Sequence, residues 1–443
     1  MVAAPLRQTR HVGTRTLTAE VAAALIAPVD TLGLGLGPAN PHALLRALSQ
    51  RGDFEDLTIG GALLLGLFDV LAQPGVHYRC GFYGPVERLY KSQGADIQLI
   101  PAGFRQFSPV LEAFAPRVMA AQATPPDAEG RCSLSLHYGA TRSALLAAGR
   151  DPNRLLILEL NENLPRTSAL EGWDNTIPVE LADVIVPSAE PLVALPEPEA
   201  NDVDRQIAEH SLGFITERAT IQTGIGAIPS MVAARLAERE GGGYGVHSEM
   251  FTDGLMALHL AGKVDNAHKG QFDGVSVTTF CLGSDALYAW LDANPLVAFA
   301  PVSLVNDPTV IKNNDNFVSI NGAIMVDLYG QVVADSVDGR QISGVGGHED
   351  FVAGAEFELE DRSLICLRST IEVRGEPRTR IVAQLPLGSV VSTPRHHTGT
   401  VVTEFGAADL RGLTVRERAM ALANIAHPSF RADLVAAARG YDA

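Results

Sequence analysis

The sequence predicts an α/β protein made of two open α/β domains, and three features predict it. Short apolar runs of strand length recur along the chain, each closes in a glycine or proline turn, and a helix-period pattern follows. Residues 31–37 alternate Leu with Gly, Pro38 and Pro41 turn the chain, and 42–48 carry a helical pattern. The runs 96–101 and 154–160 are two more buried strands. Upstream, the apolar stretch from Val21 to Val29 reads as a helix leading into a strand, because Glu20 adjoins it and no small-residue cleavage site follows.

The same grammar restarts in the second half. Residues 219–226 form a strand ending in a glycine loop, and Pro229 suits a first helical turn. Ile228, Val232 and Leu236 then share one helical face. Gly241, Gly242 and Gly243 stop that helix, and 244–250 form a short strand running into a loop. Near the end, Thr414 and Glu417 fit a capping box, and a second helix runs from Pro428 to about Gly440. Between the halves, Pro187, Pro191, Pro196 and Pro198 mix with acids in a stretch too polar for a core. The expected division is an N-terminal domain over 1–185, a linker over 186–203 and a C-terminal domain over 204–443.

Composition narrows the function classes. The 443 residues are 46% hydrophobic and 19% charged, enough apolar material for more than one core. A net charge of -17 argues against a nucleic-acid binder, whose phosphate contacts need basic surface. A local basic cluster could still hold an anionic ligand. Cys80, Cys132, Cys281 and Cys366 form no CxxC pair, so zinc and redox-pair readings lack support. Isolated buried thiols suit a reducing cytoplasm. No stretch approaches the roughly 18 apolar residues of a membrane span.

Three places carry candidate chemistry. Glu249 lies at the predicted end of a strand, where ligands of open α/β sheets bind, and Gly224 and Gly226 lie at another such end. Glycine loops let backbone N–H groups approach an anion. Taken alone, Glu249 is either a site carboxylate or an ordinary surface acid. Residues 343–351 form a second glycine cluster, either a ligand loop or a tight turn between strands. Asn321 sits in a strand pattern, either as a site donor or as the cap of a turn.

Several segments resemble, in order, the acetyl-CoA hydrolase/transferase family, which includes 4-hydroxybutyrate, butyrate and succinyl-CoA:acetate CoA-transferases. They are 224–229 (Gly-Ile-Gly-Ala-Ile-Pro), 245–254 (Gly-Val-His-Ser-Glu-Met-Phe-Thr-Asp-Gly), 343–347 (Ser-Gly-Val-Gly-Gly), 402–412 and 425–431. In the first half, 124–130 and 161–167 also fit. The resemblance implies two CoA-transferase (NagB/RpiA-like) domains with the active site at their interface. It places the catalytic glutamate on Glu249, the asparagine that helps hold the thioester on Asn321, and an oxyanion-binding backbone N–H on Gly346 or Gly347.

The implied function is exchange of CoA between an acyl-CoA and a small carboxylate through a glutamyl-CoA thioester on Glu249. CoA is then a substrate, and no cofactor or metal is needed. The loop Gly224, Ile225, Gly226 and Ala227 is a candidate for CoA contacts, Lys269 and Arg395 are candidate phosphate partners, and His396, His397 and Glu404 are further candidates for contacts with the substrate. Ser248 stands where the family more often has threonine. His396 and His397, near Glu404, depart further from the family pattern: they are either solvent-facing loop residues or groups that alter acyl or acceptor choice, and a histidine could also activate water. An acyl-CoA hydrolase on the same scaffold is the alternative, and a non-catalytic CoA-sensing protein the lesser one. The expected setting is cytoplasmic, away from membrane and nucleic acid, as a homo-oligomer, with a dimer the simplest form.

Overall fold

The computed structural model describes residues 14–195, 199–224, 226–355 and 360–441. The chain divides into two units. One holds residues up to Ala194 together with Thr279–Ser303, and the other holds Leu195–Thr278 and Leu304 onwards.

The first unit is built on eight strands in the order Arg15–Thr16, Val184–Ser188, Leu155–Asn161, Val118–Ala123, Val29–Leu34, Asp56–Gly61, Val76–Cys80 and Asp96–Leu99. Every neighbouring pair is parallel. A parallel sheet is covered on both faces, so its central strands are buried along their whole length. Leu155–Asn161 shows this residue by residue. Leu155 and Ile157 join a core with Leu32 and Leu44, while Leu156 and Leu158 point the other way into a core with Leu145 and Met119.

The second unit repeats the plan. Its strands run in the order Gly406–Asp409, Thr400–Thr403, Arg362–Cys366, Phe317–Gly322, Thr220–Thr223 and Gly245–Phe251. All these pairings are parallel except the edge hairpin of Thr400–Thr403 with Gly406–Asp409. Ser276–Cys281 follows in the sheet order and carries the chain out of the unit at Thr279. Helices Val415–Asn424 and Pro428–Ala438 cover one face through Leu422, Ala423 and Leu434, against Ile365 and Val401. The Thr414 capping box forms as its sequence requires, with Thr414 accepting from the Glu417 N–H and Glu417 from that of Thr414.

The structure corrects several expectations. A second domain continuous over 204–443 is not found, because 279–303 belongs to the first unit. The linker is also shorter than 186–203. Val186 is a buried strand residue paired with Glu159, and the helix Asp202–Leu212 starts before residue 203. Residues 343–347 do not turn between two strands but lead into the helix His348–Gly354. Among the described residues, no helix is long and apolar enough to cross a membrane. The four cysteines are buried free thiols.

Candidate active site

Glu249 is not at the mouth of a loop but inside the strand Gly245–Phe251, two residues from its carboxyl end. Register with Thr220–Thr223 fixes the strand. Side chains alternate along it, so His247 and Glu249 share one face and Ser248 and Met250 the other. Ser248 uses its hydroxyl on the Met250 carbonyl at 2.8 Å, a structural contact.

The Glu249 carboxylate has two donors. The Asn306 Nδ2 donates to its Oε2 at 2.5 Å, and the Gly347 N–H donates to the same carboxylate. Asn306 is wholly buried, and its Oδ1 has no partner among the described residues. The two glycines of the pair have different reasons to be glycine. Gly346 has φ +56°, a left-handed turn that other residues adopt only with strain. Gly347 has an ordinary φ of -95°, yet a Cβ there would collide with Glu249 Oε2 and Asn306 Nδ2. The closeness of the carboxylate, not the backbone angle, demands a missing side chain.

Burial pushes the Glu249 carboxyl up to about 7, and the Asp350 charge on the helix His348–Gly354 pushes in the same direction. The Asn306 amide and the Gly347 N–H pull it down against them. A desolvated carboxylate of raised basicity, aimed by two donors, is equipped for nucleophilic attack or proton transfer.

Asn321 lies elsewhere in the same sheet. It is buried at the end of Phe317–Gly322, and its Nδ2 donates to Ser319 Oγ at 2.6 Å rather than to Glu249. It neighbours Gly224, whose N–H donates to Ile320 O at 3.1 Å. A Cβ on Gly224 would sit 3.9 Å from Asn321 Oδ1. Gly226, with φ +131°, opens the helix Ala227–Glu238, and no side chain among the described residues caps that end. Ile225 lies outside the described residues.

The remaining candidates fare differently. Lys269 is corrected: it is fully buried, its Nζ donates to Val275 O at 2.8 Å, and it has no exposed charge for a phosphate. Its stem fills the space left by Gly245, and burial lowers its ammonium to about 7. Glu404 is half-buried and held by Ser369, whose N–H donates to one carboxylate oxygen at 2.9 Å and whose hydroxyl donates to the other at 2.6 Å. Arg395 is exposed, with its guanidinium 5.7 Å from the Tyr329 ring centre. His396 is exposed, whereas His397 is half-buried and pairs through Nδ1 with Glu349. Glu349 also accepts from Thr393 Oγ1 at 2.9 Å, so His397 is tied to the helix that follows Gly347.

Sequence reasoning missed Asn306 and the charge of Asp350. Asp350 stands in the glycine cluster already singled out, three residues past Gly347. Asn306 has no local signal at all, for it is 57 residues from Glu249 and meets it only in the fold. Among the described residues, no group of three or more His, Cys, Asp or Glu could hold a metal.

Residues 283–438 match the family described as acetyl-CoA hydrolase/transferase C-terminal domain. The chain is 41% identical over 314 residues to the 4-hydroxybutyrate coenzyme A transferase of Clostridium kluyveri, covering 71% of this chain and 70% of that protein. It is 34% identical over 432 residues to the butyryl-CoA:acetate CoA-transferase of Anaerostipes caccae, covering 94% of each. The crystal structure of RipA from Yersinia pestis superposes with a TM-score of 0.86 at 31% identity, covering 96% of this chain and 97% of that one.

Proposed function

The chain belongs to the acetyl-CoA hydrolase/transferase family, and we propose that it is a CoA-transferase whose nucleophile is Glu249. The observation that carries this reading is the single carboxylate held by the Asn306 amide and the Gly347 N–H in a desolvated position.

A carboxylate attacks few carbonyls, but a thioester is activated and its thiolate leaves easily. Attack by a Glu249 oxygen on the thioester carbon gives a mixed anhydride and expels CoA thiolate. The thiolate then attacks the Glu249 carbonyl, releasing the first carboxylate and leaving a glutamyl-CoA thioester. An acceptor carboxylate attacks that thioester and the two steps run in reverse, so acyl and CoA groups balance across each half-reaction. Each tetrahedral intermediate carries an oxyanion. The Gly347 N–H and the amide of Asn306 or Asn321 are its candidate donors, each worth about 3 kcal/mol if placed like other oxyanion donors. CoA is the substrate. Gly224, Gly226 and Ala227, at the uncapped end of their helix, are the candidate contacts for it. The reading also carries a cytoplasmic setting, a small carboxylate as second substrate and self-association as a dimer.

The test is a panel of acyl-CoA donors against short carboxylates with an acceptor-free control. Exchange that requires the carboxylate, and that Glu249→Ala abolishes while the circular dichroism is retained, is expected. CoA release without an acceptor would instead mark a hydrolase. Full turnover in Glu249→Ala would remove the nucleophile.

A further inference from the structure

His247 has no part in the chemistry above, yet it is a fully enclosed polar side chain close to Glu249. It is fully buried on the same strand face, two residues away. Its Nε2 lies 2.8 Å from the Val305 carbonyl. A carbonyl oxygen only accepts, so Nε2 carries the proton and donates. The other ring nitrogen, Nδ1, has no partner among the described residues. Burial, with the Lys269 charge, lowers the imidazole to about 3, so it stays neutral at any working pH.

The ring is walled by Phe272, Phe317 and Phe351, with centres 6.2, 6.3 and 6.4 Å away. Two of its contacts lead back to the Glu249 carboxylate. Val305 is followed by Asn306, the amide donor to Glu249. Phe351 sits on the helix that begins after Gly347, the backbone donor, and that also carries Asp350. One imidazole thus touches both pieces of chain that hold the carboxylate. A histidine whose only role was to fill space would be better replaced by phenylalanine, because a buried Nδ1 without a partner costs desolvation free energy. The Val305 bond is what the histidine adds.

We propose that His247 is the positioning residue of this site: by holding the Val305 carbonyl and packing on Phe351, it sets Asn306 and Gly347 against Glu249. The proposal rests on Glu249 being the reacting group. The charges facing that carboxylate belong to Asp350, and the charge facing the imidazole belongs to Lys269.

The experiment compares His247→Phe, His247→Gln, Asn306→Ala and the double variant His247→Phe/Asn306→Ala. Its readouts are the pH dependence of kcat and the titration of the Glu249 carboxyl by 13C NMR, assigned through the signal lost in Glu249→Gln. His247→Phe is expected to lower kcat by about tenfold or more with KM little changed, as misplaced catalytic groups do. It should also raise the Glu249 pKa by roughly one unit, since a donor that lowers it is loosened. His247→Gln, which keeps an N–H donor, should restore most of both. The double variant should lose clearly less than the sum of the two single losses, because the Val305 bond acts through Asn306. Costs that simply add, or an unmoved Glu249 titration in His247→Phe, would overturn the proposal. Should the Phe variant not fold, His247→Met, which also lacks the donor, is held to the same outcomes. If the wild-type protein exchanges no acyl group, the transferase reading fails, while the carboxyl titration still decides the positioning role.

Discussion

Placing alanine at Gly347 and at Gly346 in turn separates two roles that the sequence leaves merged. At Gly347 the backbone tolerates alanine, with φ -95° and ψ 10°, so strain arises only from contact. The new methyl would overlap Glu249 Oε2 and Asn306 Nδ2. To restore ordinary contact, those atoms must retreat on the order of 1 Å, a displacement that costs about 100-fold in rate when it separates reacting groups. Overpacking adds a stability cost of about 1–3 kcal/mol. At Gly346 the effects reverse. A left-handed φ of +56° costs alanine roughly 1–2 kcal/mol of stability. The assay is acyl-CoA:carboxylate exchange at saturating substrate, paired with thermal melting. Gly347→Ala should lose about two orders of magnitude in kcat at a modest loss of melting temperature, and Gly346→Ala should lose stability with a smaller loss of kcat. Wild-type kcat in Gly347→Ala would refute the assignment of its N–H to Glu249.

Two more outcomes follow from the electrostatics. Attack requires the ionised form of Glu249, whose carboxyl titrates at about 7, so kcat/KM should rise with pH and be about tenfold below its plateau at pH 6. A profile flat from pH 5.5 to 8 would show an unperturbed acid. Lys269 is neutral in the fold above about 7 but holds its proton to 10.5 when unfolded, so stability rises with pH across that window as the cost of neutralising it disappears. Lys269→Met should therefore melt higher than wild type at pH 7, with the gap shrinking towards pH 10. A gap independent of pH would mean that burial does not perturb the amine.

Much of the fold was legible because it is encoded locally. The apolar run at 155–158 and the alternating strand-and-helix grammar need only a two-residue and a 3.6-residue period to be read, and Thr414 with Glu417 spells its helix start within four residues. The unit boundary was legible only in part. Proline and acid content marks where the chain leaves the first unit, but nothing in the composition of 279–303 says that it belongs there. In the site, the strand-end position and the glycine cluster marked Glu249 and 343–351 as candidates, and only the resemblance to known sequences gave them roles. The strand, however, places Glu249 earlier than the apparent loop end, because Phe251 continues the extended run. Lys269 was misjudged because a lysine is usually solvated, and only the fold shows Gly245 making room for its stem. Asn306 and His247 were invisible for the opposite reason. Their partners, Glu249 and Val305, lie 57 and 58 positions away in the chain, so tertiary packing alone defines them.

The most direct check of the central claim is to incubate the protein with an acyl-CoA, trap with borohydride, digest, and read the mass of the peptide bearing Glu249. Attachment through that side chain should convert it to the alcohol, with the matching mass loss, and every other carboxyl should stay unchanged. A modified residue elsewhere, or an unmodified Glu249 in an enzyme that is turning over, would contradict the account.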